Sequence, residues 1–358
     1  MFYKYLIRPI LFKIDAEKVH DFAIKIGKIF SKSNIVKLFL RKVYSYKNKK
    51  LEQKILGIKF NNPLGIAAGF DKNGKLTEIF PELGFGFMEI GSVTAKYCEG
   101  NKKPRVWRLP KDKAIMVHYG LANEGSDKIY ERLKNLKFKI PLMISVAKTN
   151  DINIKGDKSV DDYFYSFKKF KNLSDFITLN ISCPNTGDGR SFQDPFLLEK
   201  LLKKIGKTNK KIFLKISPDI TEENVDKILL VIKNYNIKGF IIGNLLKKRE
   251  NLKSSEDDLK AMSGSVSGPV AGKRSLELIR YVYRKTKGKY LIIGCGGIFN
   301  AKDAYERIKA GASLIQIVTS MIYEGPRVIK KINKGLVKLL EKDGFNNVSE
   351  AVGINIKK

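Results

Sequence analysis

A chain of 358 residues can bury a large core, and its formal charge of +33, from 69 Lys and Arg against 36 Asp and Glu, favours anionic partners such as a membrane surface, nucleic acid or phosphorylated ligands. The basic residues are spread rather than blocked, so a general lysine bias explains the charge equally well. Three scattered cysteines (Cys98, Cys183, Cys295) with no Cys-x-x-Cys pair argue against a disulfide framework or a zinc site and point to a reducing compartment, and two histidines, His20 and His118, leave no metal expected.

Residues 1–54 carry 14 Lys and Arg against 4 Asp and Glu, a net +10. Val19, Phe22, Ala23, Ile26 and Phe30 recur at helical spacing behind Asp15, an acceptable N-cap, and Ile35, Val36, Leu38 and Phe39 mark a second helix. The pattern alone fits a helical cap on a barrel or a segment lying on a membrane. The start lacks the apolar core and cleavage site of a secretory signal. The longest uncharged run, Gly311 to Tyr323, is short of the ~20 residues of a membrane span.

From residue 55, short apolar runs alternate with longer charged helical stretches. Eight strands are predicted: Leu64–Ala67, Phe87–Ile90, Leu142–Val146, Phe176–Leu179, Ile212–Ile216, Phe240–Ile242, Leu291–Ile293 and Leu314–Val318. Such a series predicts an α/β fold, a closed (β/α)8 TIM barrel with its active site at the strands' C-terminal ends. The division expected is 1–54 helical extension, 55–340 barrel and 341–358 C-terminal tail. Glu99 to Ser126 forms a long connection after the second strand, and Lys247–Lys260 reads as a mobile loop, either a lid or a solvated surface segment.

Chemistry-bearing residues follow nearly every strand. Gly294-x-Gly296-Gly297 and Thr319-Ser320, after the last two strands, match the place where barrels hold a phosphate on backbone N–H groups, and Gly264-Ser265-Val266-Ser267-Gly268 adds a second donor-rich loop. A mononucleotide fits such a site. Ala67-Ala68-Gly69 offers a flat surface for a ring, or simply close barrel packing. Lys215 needs an anionic partner at an apolar barrel mouth, either a ligand or a carboxylate such as Glu89. After the fourth strand, Asn180-Ile181-Ser182-Cys183-Pro184-Asn185 delivers amides and a thiol to one point, where Pro184 prevents the chain from continuing as a helix.

Taken in order, Ala68 to Gly74, Glu89 to Thr94, Asn180 to Asn185, Lys215 to Asp219, Gly294 to Ile298 and Gly311 to Ser313 resemble dihydroorotate dehydrogenase over nearly the whole chain. Tyr5 to Phe12, with Asp15, Glu17 and His20, is similar to the N-terminal extension of that family's quinone-reducing, membrane-associated class. The resemblance implies an FMN enzyme that oxidises dihydroorotate to orotate in pyrimidine biosynthesis and passes electrons to quinone. It further implies peripheral contact with an anionic membrane on its cytoplasmic side, with 1–54 as the quinone entrance. By the same resemblance Cys183 is the base that takes a proton from carbon five and Lys215 tunes the flavin. FMN would be held by Ala68, Gly69, Ser92, Ser145, Asn180, Lys215, Gly243, Gly268, Gly297, Val318 and Thr319, and the substrate by Lys72, Asn180, Asn185, Asn244, His118 and Tyr119.

Several positions depart from the family pattern. Cys183 stands where the membrane-associated class carries Ser, Val117 where an orotate-binding Asn is usual, Ser145 where an Asn contacts flavin, Leu245 where a Thr follows Asn244, and Gly243 lacks a flavin-side hydroxyl. Two other readings compete: a tRNA-acting reductase resembling dihydrouridine synthase, and a flavin-binding relative with a decayed pocket. The first lacks an appended RNA-binding domain, and nucleic acid is not the expected partner. The sequence is silent on oligomeric state.

Overall fold

The computed structural model describes residues 2–182 and 191–356. After a π-helical turn at Tyr3–Ile7 come α1 (Arg8–Phe12), α2 (Ala16–Ser31) and α3 (Asn34–Tyr44). Asp15 accepts from Lys18 N at 2.9 Å and Ser33 from Val36 N at 3.3 Å, each satisfying an N–H that the first helical turn leaves open. Both expected N-terminal helices are present. Two buried carboxylates hold them down: Glu17 on α2 accepts from Arg105 Nη2 at 2.7 Å, and Glu82 accepts from Arg41 of α3 at 2.6 and 2.9 Å and from Lys139 at 2.8 Å. The outer faces stay apolar and open, with Ile35 at 82 % and Leu38 at 64 % exposure.

The strands in chain order are β1 (Gln53–Ile55), β2 (Ile58–Phe60), β3 (Leu64–Ile66), β4 (Phe87–Val93), β5 (Val106–Leu109), β6 (Ala114–Val117), β7 (Leu142–Val146), β8 (Phe176–Asn180), β9 (Lys211–Ile216), β10 (Ile237–Ile242), β11 (Ser265–Ser267), β12 (Leu291–Cys295) and β13 (Leu314–Ile317). Between and after them lie α4 (Ser126–Leu133), α5 (Asp157–Phe170), α6 (Pro195–Ile205), α7 (Glu222–Ile232), α8 (Glu256–Lys260), α9 (Gly272–Thr286), α10 (Ala301–Lys309), α11 (Thr319–Glu324) and α12 (Arg327–Lys342). Strands β3, β4, β7, β8, β9, β10, β12 and β13 close into a parallel barrel, β13 returning to β3 through Ile315↔Leu64 and Ile317↔Ile66. Each of the eight predicted strands is one of these.

The barrel floor is a plug of Phe60, Phe87, Met143, Phe176, Phe213, Ile241, Ile293 and Leu314 beneath which the β1–β2 hairpin folds. Gly65 makes room for it, since a Cβ there would stand 2.4 Å from the Phe87 ring. With the floor filled by these side chains, the large cavity among the described residues lies at the opposite end of the barrel.

The long connection after β4 supplies β5 and β6, which pair antiparallel with each other, and β6 also pairs antiparallel with β11 from the connection after β10. Residues 247–260, expected to be mobile, instead contain α8 and are pinned by Asp112, whose carboxylate accepts from Lys253 N at 2.5 Å and from Ser254 Oγ at 2.6 Å.

Candidate active site

The sequence motifs converge at the C-terminal ends of the barrel strands around one cavity of about 560 Å³. Its lining includes Ala68, Gly69 and Lys72 after β3, Ser92 on β4, Asn180 on β8, Lys215 on β9, Gly243 and Asn244 after β10, Gly297 after β12, and Val318 and Thr319 after β13. The same cavity continues between α2 and α3, past Val19, Ala23, Phe30, Leu40 and Tyr44. An apolar passage thus joins the barrel mouth to the outer helices.

Glu89 organises the floor of this site. It is fully buried, and its Oε2 accepts from Ala68 N at 3.0 Å, Gln316 Nε2 at 3.2 Å and Lys215 Nζ at 3.3 Å. The carboxylate partner anticipated for Lys215 is therefore in place. An ammonium has three donors, so Lys215 keeps donors to spare, while Gln316 Oε1, buried, has no partner among the described residues. Spare donors beside a spare acceptor match the imide edge of an isoalloxazine ring, which alternates carbonyls with an N–H. A flavin therefore fits here. Gly69, at φ +107° with nothing within 4 Å of a built Cβ, leaves the cavity wall open for such a ring.

The turns expected to hold a phosphate meet at one edge of the same cavity. Gly297 has φ +68° and a Cβ there would lie 2.4 Å from Gly272 Cα, so only glycine lets this turn press against the start of α9. Arg307, 3 % exposed, staples the two loops from behind, donating Nη2 to Gly296 O at 2.7 Å and to Gly272 O at 3.2 Å. Ser267 and Thr319 share a hydrogen bond of 2.8 Å beside them. Gly268 and Ser145 stand behind the lining: a Cβ on Gly268 would meet Ala114 Cα at 2.8 Å, and Ser145 Oγ lies 2.8 Å from Ser92 Oγ. Gly297→Val should yield folded protein that purifies colourless or with a small fraction of its flavin. Full flavin content by absorbance in that variant would remove the phosphate cradle from this position.

Lys72 is a cation of the pocket that pairs with no carboxylate among the described residues. Its Nζ stands 3.6 Å over the Tyr119 ring. Burial pulls its pKa down to about 8 against the attraction of Glu17. His20 on α2 is held neutral, its pKa brought down to about 3 by burial and then by Lys72. Tyr119, Val117 and Leu245 line the cavity; His118 is outside the lining. Cys183, Pro184 and Asn185 lie outside the described residues.

Sequence reasoning missed Gln316 and Arg307. The lone amide inside the run Leu314-Ile315-Gln316-Ile317 was the available signal for the first. No local pattern pointed to the second. Among the described residues there is no cluster able to hold a metal ion, and no helix is long and apolar enough to cross a membrane.

A family model described as dihydroorotate dehydrogenase matches residues 50–340. The chain is 40 % identical over 372 aligned residues to a protein named dihydroorotate dehydrogenase (quinone) from Nostoc punctiforme, covering 99 % of this chain and 98 % of that one. It is also 40 % identical over 346 residues to the protein of the same name from Christiangramia forsetii, covering 95 % and 99 %. Among solved structures, DHODH from Eimeria tenella in complex with ferulenol superposes with a TM-score of 0.83 at 30 % identity, covering 96 % of each chain.

Proposed function

The chain belongs to the dihydroorotate dehydrogenase family and is a flavin enzyme that oxidises dihydroorotate to orotate in pyrimidine biosynthesis with quinone as acceptor; we propose that the flavin is FMN, that Cys183 is the base, and that residues 1–54 are the quinone entrance. The observation that carries this reading is the continuous cavity from Lys215 and Asn180 out to α2 and α3.

An FMN held by Gly69, Lys215 and the turn at Gly297 would supply an acceptor for the hydride equivalent leaving the substrate ring and a donor of that electron pair to quinone. Lys72 neutralises the substrate carboxylate, and Asn180, Asn185 and Asn244 read the amide-rich ring. Cys183 removes the proton from carbon five as the general base. Lys215 holds a cation at the cavity floor, where it would stabilise negative charge on a reduced flavin. The phosphate fits the turn at Gly297, with Gly268, Val318 and Thr319 shaping its surround.

The exposed apolar faces of α2 and α3, set in a segment of net +10, suit peripheral contact with an anionic membrane on its cytoplasmic side. Anaerobic addition of dihydroorotate should bleach the yellow protein, and quinone should restore its colour faster than fumarate or NAD. Protein starting at Leu51 should still bleach but reoxidise poorly with long-chain quinone and no longer sediment with anionic vesicles. Equal quinone turnover with and without the segment would make it a structural cap and move the acceptor assignment to a soluble oxidant.

A further inference from the structure

A series of directional hydrogen bonds crosses the strand ends of the site, and the backbone fixes its sense. The Leu245 N–H can only donate, so the Asn244 atom 2.9 Å from it is Oδ1. Asn244 Nδ2 therefore faces Ser182 Oγ, at 2.9 Å. Having accepted there, Ser182 places its single proton on Asn180 Oδ1 at 3.3 Å. Asn180 then turns Nδ2 to Ser92 Oγ at 2.8 Å, and Ser92 shares its hydroxyl with Ser145 at 2.8 Å. Reversing the Asn180 amide would aim two N–H groups at Ser182, only 5 % exposed, and leave the hydroxyl proton with no acceptor among the described residues.

We propose that Ser182 is a positioning residue that passes the sense of Asn244, set by the Leu245 N–H, on to Asn180, so that Asn180 and Asn244 each offer the second N–H of the NH2 group to the ligand. Asn180 and Asn244 line the cavity and Ser182 does not. With Lys72, the site then presents donors on several sides and is matched to a ligand edge made of acceptor oxygens, a carboxylate or ring carbonyls. Ser145 completes the series where the family pattern has an amide: its hydroxyl anchors Ser92, which in turn anchors Asn180. This role rests on the dihydroorotate reading.

The test measures orotate binding by its perturbation of the flavin spectrum, and KM and kcat for dihydroorotate, in wild type, Ser182→Ala, Ser182→Thr, Asn244→Ala and the Ser182→Ala/Asn244→Ala double variant. Ser182→Ala should keep its flavin and melting temperature, weaken orotate by about tenfold and raise KM more than it lowers kcat. Thr, which keeps the hydroxyl, should restore most of the affinity. The double variant should lose less than the product of the single losses, because both changes disable the same contact. Wild-type affinity in Ser182→Ala, full multiplication of the losses, or flavin lost together with orotate affinity would each overturn the role. A wild-type protein that dihydroorotate cannot bleach would instead overturn the reading beneath it.

Discussion

Replacing Cys183 with alanine should leave the flavin bound and slow its reduction by dihydroorotate by about 10²–10⁴-fold, the range that a positioned general base contributes. The expectation comes from chain order: β8 ends at Asn180, which lines the cavity, Ser182 is fixed by two amides, and Cys183 is the next residue in the sequence. Cys183→Ser should retain part of the rate with its pH optimum displaced upward, because a hydroxyl is a weaker acid than a thiol of reference pKa ~8.5. Stopped-flow bleaching under anaerobic conditions reads both variants. If Cys183→Ala bleaches as fast as wild type, the proton leaves to another group.

Lys72→Met should raise KM for dihydroorotate by roughly 30-fold or more, the scale of about 2–5 kcal/mol seen when one partner of a buried charge pair is truncated. Methionine keeps the length of the stem, so the change isolates the charge. The sign of the pH dependence follows from the depressed pKa of about 8. Below that pH the lysine is cationic and receives a carboxylate; as pH rises through it the cation is lost and KM should climb. Stability runs the other way. The unfolded chain holds this proton to higher pH than the folded one, so between about 8 and 10.5 stability contributed by Lys72 rises with pH. A KM that is flat from pH 7 to about 10 would place the substrate carboxylate elsewhere.

What the sequence disclosed and what it hid divide along sequence distance. The barrel strands were legible because each is a short apolar run bounded by charged helices, and Asp15 announced α2 as a cap directly before an amphipathic run. For Lys215 the sequence posed two anionic partners, a ligand and Glu89; the folded chain brings Glu89 to 3.3 Å and still leaves the lysine facing the cavity. Contacts between distant strand ends were illegible. The Ser92–Ser145 pair, the Arg307 staple across Gly272 and Gly296, and the hold of Asp112 on Ser254 exist only once the barrel has closed. The anchor of 247–260 was hidden for that reason: it is a carboxylate 142 residues earlier in the chain.

The β5–β6–β11 sheet carries a consequence for the order in which the molecule assembles. Its strands come from connections on opposite sides of the barrel sequence, and Tyr323 Oη bonds Ala114 O of β6 across 209 residues. Pairings this remote are entropically expensive until intervening neighbours such as β7–β8 and β8–β9 have formed. During refolding, amide protons of Ile144 and Ile177 should therefore become protected in pulse-labelling before those of Met116 and Val266. Since β11 also bears Ser267, which pairs with Thr319, the nascent barrel would complete the proposed phosphate site only at the end of folding. Cofactor capture then reports completion of the native topology.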